Sequence, residues 1–203
     1  MSSDLIRETL NAWTQGRDGL QARIAVFEHV RDIPYAYPAS RDPGDVLRQH
    51  RGSCSGKHRL LGEMFRLLGL RVRHVIGVHR FNESLIAFPE PMQALLRKNQ
   101  IVDMHDYLQV REGDAWIDID ATWERSLRDF GFPVNEEWDG CQSMTLSVIP
   151  EEVTIAEGDP EKVKEDLLSR LTPRQRMLRK QFLEALGAWV EELTAEEVRD
   201  DGR

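Results

Sequence analysis

Residues 101–110 and 115–120 each alternate apolar with polar side chains, and Arg111-Glu112-Gly113-Asp114 lies between them. Two such runs around a short glycine-containing link predict an antiparallel hairpin, and this pairing constrains the chain more than any other segment. A two-residue loop at Glu112-Gly113 pairs Arg111 with Asp114 and puts His105 directly opposite Asp120. A four-residue loop pairing Val110 with Ala115 keeps that register, whereas a three- or five-residue loop breaks it. Directly opposed side chains start ~4.5–5.5 Å apart, within reach of an imidazole–carboxylate hydrogen bond. His105, Tyr107 and Gln109 then share a face with Trp116, Asp118 and Asp120, while Ile117 and Ile119 point with Met104 and Leu108 toward an apolar layer. Asp103 and Asp106 read as edge or loop carboxylates. Asp118 reads as a satisfied surface carboxylate, with a role as orienter only if the register slips.

A histidine held by a carboxylate is the base–orienter half of a nucleophilic triad. The candidate nucleophile is Cys54, set in Arg51-Gly52-Ser53-Cys54-Ser55-Gly56-Lys57-His58. Small residues leave the thiol uncrowded, and Ser53 is placed to cap the helix that follows. A thiol at a helix N-terminus sits in the positive end of the macrodipole, which favours the thiolate. Leu60, Leu61, Met64, Phe65, Leu67 and Leu68 make residues 54–68 the most buried helix expected in the chain, apolar enough to lie on the hairpin. Cys54 read alone is a buried structural cysteine; its standing rests on His105 and Asp120.

The rest of the chain supplies the frame. Leu5, Leu10 and Trp13, then Leu20, Ile24, Phe27 and Val30, predict two N-terminal helices, and residues 33–45 form a turn-rich connection to a short helix at 45–50. A strand is expected over 71–79, a short helix over 92–97, a short helix or turn over 122–127 and a final strand over 143–149. Beyond Pro150 two charged amphipathic helices, 161–171 and 173–193, lead to an acidic tail (Glu196, Glu197, Asp200, Asp201) expected to fray. Leu178, Phe182, Leu186, Trp189 and Leu193 on the second helix serve either as a cap over the core or as a homodimer surface.

The net charge of −8 argues against nucleic acid as a partner. The N-terminus has no basic start followed by an apolar run, and no apolar stretch approaches the ~20 residues that span a bilayer, so no membrane association is expected. Cys54 and Cys141 are too few for a disulfide framework, which fits a reducing, cytoplasmic setting. His50, His58, His74 and His79 are near Cys54 in sequence, but no CxxC pair, HExxH or compact set of four ligands is present; no metal site and no cofactor are expected, and these histidines read as surface or partly buried. Trp116 and Trp123 read as packing residues that also keep water from the site, either of them able to line a substrate cleft.

Between about Ala22 and Arg125 the sequence resembles the transglutaminase-like superfamily, a branch of the papain-like cysteine enzymes. The residues that carry the resemblance are Phe27-x-x-Val30-Arg31-Asp32-Ile33-x-Tyr35, Gly52-Ser53-Cys54-Ser55-Gly56-Lys57, Leu67-Leu68-Gly69-Leu70-Arg71-Val72-Arg73, His105-Asp106-Tyr107-Leu108-Gln109-Val110 and Trp116-Ile117-Asp118-Ile119-Asp120-Ala121-Thr122-Trp123. It implies Cys54 as nucleophile, His105 as base then acid, and Asp120 as orienting carboxylate. It also implies attack on an amide or ester carbonyl, often a glutamine carboxamide of a peptide or protein, with water or an amine resolving a thioester. The Cys54 backbone N–H is one expected oxyanion donor and Gln49 a candidate for the second.

The expectation is therefore an α+β papain-like, transglutaminase-like core: an N-terminal helical lobe on an antiparallel sheet over 1–150, and a C-terminal helical extension over 151–203. The expected function is a thiol-dependent amide hydrolase or acyltransferase working through Cys54, His105 and Asp120. The alternative is a non-catalytic transglutaminase-like binding module.

Overall fold

The computed structural model describes residues 2–200, with side chains through residue 195. The acidic tail's side chains thus lie outside the described residues. Eleven regular elements follow in order: α1 (Ser2–Thr14), α2 (Gly19–Arg31), α3 (Pro43–Gln49), α4 (Cys54–Leu67), β1 (Val72–Arg80), α5 (Glu90–Lys98), β2 (Val102–Glu112), β3 (Ala115–Ile119), β4 (Glu152–Ala156), α6 (Pro160–Ser169) and α7 (Pro173–Asp200). The four strands make one sheet of order β3-β2-β1-β4 with every pairing antiparallel, so the fold is α+β.

The apolar stripe of α4 lies where its periodicity places it. Leu60, Leu61, Met64 and Phe65 are fully buried with Phe27 and Val30 of α2 and with Leu108, Val110, Ile117 and Ile119 of the hairpin. Each such side chain contributes ~1.5–3 kcal/mol on burial, so this layer fixes the N-terminal lobe to the sheet. A second cluster joins Tyr35, Phe81, Phe88 and Trp123 to Phe182, Leu183, Leu186 and Val190 of α7. A third joins Ile76 and Met104 to Leu167 and Leu171, so Met104 packs toward α6 rather than with Leu108.

The hairpin differs from its expected register. Leu108 pairs with Ile119 and Glu112 with Ala115, so the loop is Gly113-Asp114 rather than Glu112-Gly113. Gly113 has φ +54°, and a two-residue hairpin turn with glycine first is the II′ arrangement, which sets the loop one residue later. Pairing thereby slips by two positions in sum. An even slip keeps every side chain on its face, so Asp120 becomes a diagonal neighbour of His105 instead of its direct partner.

Two other expectations change, and the role of the α7 face is left between two readings no longer equal. Residues 143–149 form no strand; the last strand is β4, paired to β1 from His74↔Ala156 to Val78↔Glu152. Ser53 occupies the N-cap position of α4 without a side-chain capping bond. The face of α7 considered for a dimer is turned inward, with Phe182 and Leu186 buried in the second cluster. Residues 151–200 thus add a strand to the sheet and two helices to its faces.

Candidate active site

Cys54 opens α4 because the preceding turn is pinned. The Gly52 N–H donates to Pro34 O at 3.0 Å and the Ala36 N–H to Gly52 O at 3.1 Å. Gly56 permits the close approach of the neighbouring loop: a Cβ there would stand 2.7 Å from Ser40 O and 2.9 Å from Val46 Cγ2. The thiol is partly exposed on a cavity of about 190 Å³ whose walls include Tyr35, Tyr37, Arg41, Asp103, Lys164 and Arg179.

His105 comes from the middle of β2 and Asp120 from the residue just after β3. His105 Nε2 donates to Asp120 Oδ2 at 2.8 Å, and both side chains are buried. Asp120 accepts three further bonds: to Oδ1 from Thr122 N–H (3.0 Å) and Thr122 Oγ1–H (2.6 Å), and to Oδ2 from Ser147 N–H (2.7 Å). Burial opposes its charge, but the His105 imidazolium and these donors hold it well below the usual carboxylate range. The segment expected as a strand over 143–149 therefore serves the site: Ser147 clamps the carboxylate.

Cys54 and His105 shift each other's titration, each favouring the other's charged form. Burial pushes the thiol up, yet the Lys164 ammonium and the His105 ring together bring it below its ordinary value. Burial pulls the imidazole down, yet the Asp120 charge and hydrogen bond, with Cys54, raise it to about 10. Both shifts run toward the charged forms, the thiolate and the imidazolium.

His58, one helical turn after Cys54, is fully buried rather than superficial. The Ala121 N–H donates to its Nε2 at 2.9 Å, so Nε2 is unprotonated and Nδ1–H donates to Cys54 O at 2.8 Å. Burial holds it neutral, with its pKa down at about 4. It is a spacer between the helix start and the end of β3. Among the described residues no cluster of three metal-ligating side chains occurs.

Asp103 and Asp106 are not edge carboxylates. Asp106 is buried, accepts from Ser55 Oγ at 2.7 Å and is paired with Lys164, whose Nζ also donates to Ser55 Oγ at 2.9 Å. Burial alone would raise its pKa, but the Lys164 charge dominates and brings it to about 2. Asp103 is buried and bonded to Arg179 Nε at 2.5 Å. One sequence signal did point to Asp106: it lies between Met104 and Leu108 on the apolar face of β2, where a carboxylate needs a cation. Nothing local to α6 or α7 marks Lys164 or Arg179 as that cation, and Tyr35 stood out only within the resemblance.

Gln49 and Trp116 are not brought to the thiol. Gln49 is exposed at the end of α3 and does not line the cavity, because α3 closes before the chain turns into Gly52. Trp116 lies at the hairpin end of the sheet, with the guanidinium of Arg73 4.2 Å and that of Arg111 5.8 Å from its ring centre. Asp118 accepts from Gln109 Nε2 at 2.7 Å, away from His105. Trp123 packs on Tyr35, ring centres 4.7 Å apart, and so backs a cavity wall.

The sequence model of the transglutaminase-like superfamily matches residues 9–121, more than half of the 203. No curated protein matches the sequence. Among solved structures, a protein provisionally assigned as a cysteine protease from Cytophaga hutchinsonii is 18% identical over 63% of this chain and 39% of its own, with a TM-score of 0.44. A TGase is 16% identical over 62% of this chain and 32% of its own, with a TM-score of 0.43. The chain therefore corresponds to about two fifths and one third of those proteins. At such scores the likeness adds nothing to the family match, which stands on residues 9–121. By that match the chain belongs to the transglutaminase-like superfamily.

Proposed function

We propose that this protein is a thiol-dependent amide hydrolase or acyltransferase in which Cys54, His105 and Asp120 act as nucleophile, acid–base and orienter. The observation that carries the reading is the His105–Asp120 hydrogen bond at 2.8 Å, with the thiol drawn below its ordinary pKa and the imidazole raised to about 10. Burial alone would drive both groups neutral, so the arrangement spends buried charge to keep the thiolate.

The thiolate attacks the substrate carbonyl, forming the S–C bond as the carbonyl electron pair moves to oxygen. That oxygen is received by the Cys54 N–H at the start of α4 and by the Tyr35 hydroxyl. Burial and the neighbouring Cys54 and Asp103 charges keep the Tyr35 phenol protonated, and hence a donor. The C–N bond breaks, the His105 proton passes to the leaving nitrogen, and a thioester remains. Water or an amine then gives its proton to His105 while attacking the thioester, and the thiolate leaves. Hydrolysis and transfer differ only in that second nucleophile; a glutamine carboxamide is a suitable donor.

Alkylation by iodoacetamide tests the pair. Cys54 is expected to react far faster than Cys141, with a rate that levels off below the ordinary thiol pKa and stays level up to about 10, where His105 loses its proton. A free thiol is only a few per cent thiolate at pH 7, so His105→Ala should slow alkylation by up to about 30-fold. Turnover of glutamine-containing peptides, with and without a primary amine, should fall by about 10²–10⁴ in the same variant. Slow, equal labelling of both cysteines, unaffected by the substitution, overturns the reading.

A further inference from the structure

The cavity at Cys54 is lined by three cations, Arg41, Lys164 and Arg179, against one carboxylate, Asp103. Their partners are unevenly satisfying. Lys164 is committed to Asp106 and Ser55. Arg179 gives Asp103 only its Nε, at 2.5 Å, and among the described residues neither of its terminal nitrogens makes a hydrogen bond. Its side chain is 13% exposed, and its terminal nitrogens are not among the buried polar atoms without a partner, so they reach the solvent of the cavity. Arg41 is loosely held at 3.4 Å from Glu161, whose shorter bond, 2.5 Å, goes to Arg59.

A guanidinium offers five donors in a planar fork that matches a carboxylate in bidentate fashion. Donors that face only cavity solvent are open to an anionic ligand, whose charge-assisted hydrogen bonds are roughly twice as strong as neutral ones. The position is close to the chemistry, since Arg179 and Cys54 feel each other's charge. His79, against Asp103, adds no competing positive charge, because burial keeps it neutral with a pKa of about 4. At about 190 Å³ the cavity is below the range for drug-sized ligands and suits a unit of one amino acid.

We propose that the substrate carries a free carboxylate within a few bonds of the scissile carbonyl, received by the terminal nitrogens of Arg179 with Arg41 at the rim. This specificity rests on Cys54 being the nucleophile, and it narrows that reading: among carboxamides it favours those of amino-acid size with a carboxylate near the scissile carbonyl.

Two alkylating reagents of nearly equal size test it without a known substrate. Iodoacetate carries the carboxylate and iodoacetamide does not; both meet the same thiolate, so the ratio of their rates is independent of the thiol pKa. Relative to the same ratio for N-acetylcysteinamide, the ratio at Cys54 is expected to favour iodoacetate by about tenfold or more, the scale of one charge-assisted hydrogen bond. Arg179→Gln should return the ratio toward that of the reference thiol. Arg41→Gln, at a side chain 32% exposed and thus safe for folding, should lower it by a smaller factor. A Cys54 that reacts rapidly with iodoacetamide but shows the reference ratio overturns the carboxylate site alone. A Cys54 inert to both reagents overturns the nucleophile, and this proposal with it.

Discussion

The stretch matched by the superfamily, residues 9–121, carries Cys54, His105 and Asp120, whereas residues 122–200 carry Lys164 and Arg179 on the same cavity. The first region brings its groups together through a sheet and one apolar helix, elements with strong local signals. The second brings its groups in from two amphipathic helices whose charged faces look solvated in sequence. Even the proposed triad depends on both regions, because Thr122 and Ser147 supply three of the bonds that fix Asp120. The contrast separates reaction from setting. In the proposed reaction the matched core holds the atoms that make and break bonds, and the following segment places Lys164 and Arg179 around them.

Lys164→Ala is the sharpest way to break that division. It leaves Asp106 as a buried carboxylate without its cation, at a cost of about 3–5 kcal/mol, visible as a lower denaturant midpoint. Lys164→Met with Asp106→Leu should recover most of that loss, since a neutral packed pair avoids the desolvation penalty. If the single variant is as stable as the parent, the C-terminal segment does not hold the core in the way described.

Within the core, Tyr35→Phe removes the proposed hydroxyl donor and should lower kcat for an activated amide or ester by about 10²–10³. Alkylation by iodoacetamide develops no oxyanion and should change much less. Equal loss in both reactions would assign Tyr35 to packing against Trp123 instead.

Gly56→Ala is the smaller test of the core. The added methyl meets the Ser40 carbonyl oxygen, which belongs to backbone and cannot rotate aside. A destabilisation of about 1–3 kcal/mol is expected, read by thermal or denaturant unfolding. A neutral result would mean that the loop over α4 yields, and that Cys54 is less firmly placed than its neighbours suggest.

Much of this was legible beforehand for identifiable reasons. Periodicity in residues 54–68 located α4 because burial of one face repeats every three to four residues. The hairpin pairing of His105 with Asp120 survived a wrong register because an even slip preserves the faces of both strands. Gln49 is near Cys54 in sequence, yet it is exposed at the end of α3 and lies outside the cavity lining. Residues 143–149 read as a strand, yet among the described residues the Met144 N–H alone reaches a strand carbonyl, that of Asp118, and the Ser147 N–H goes to the Asp120 carboxylate.

The sequence by itself determined the α+β class, the helix that presents Cys54 and the face shared by His105 and Asp120, because all three follow from interactions between near neighbours or across one hairpin. Only the tertiary structure decided which distant cations, Lys164 and Arg179, meet the carboxylates of β2, and that Tyr35 rather than Gln49 or Trp116 stands beside the thiol. Those contacts join residues tens of positions apart, and no local pattern encodes which charge will neutralise which once water is excluded.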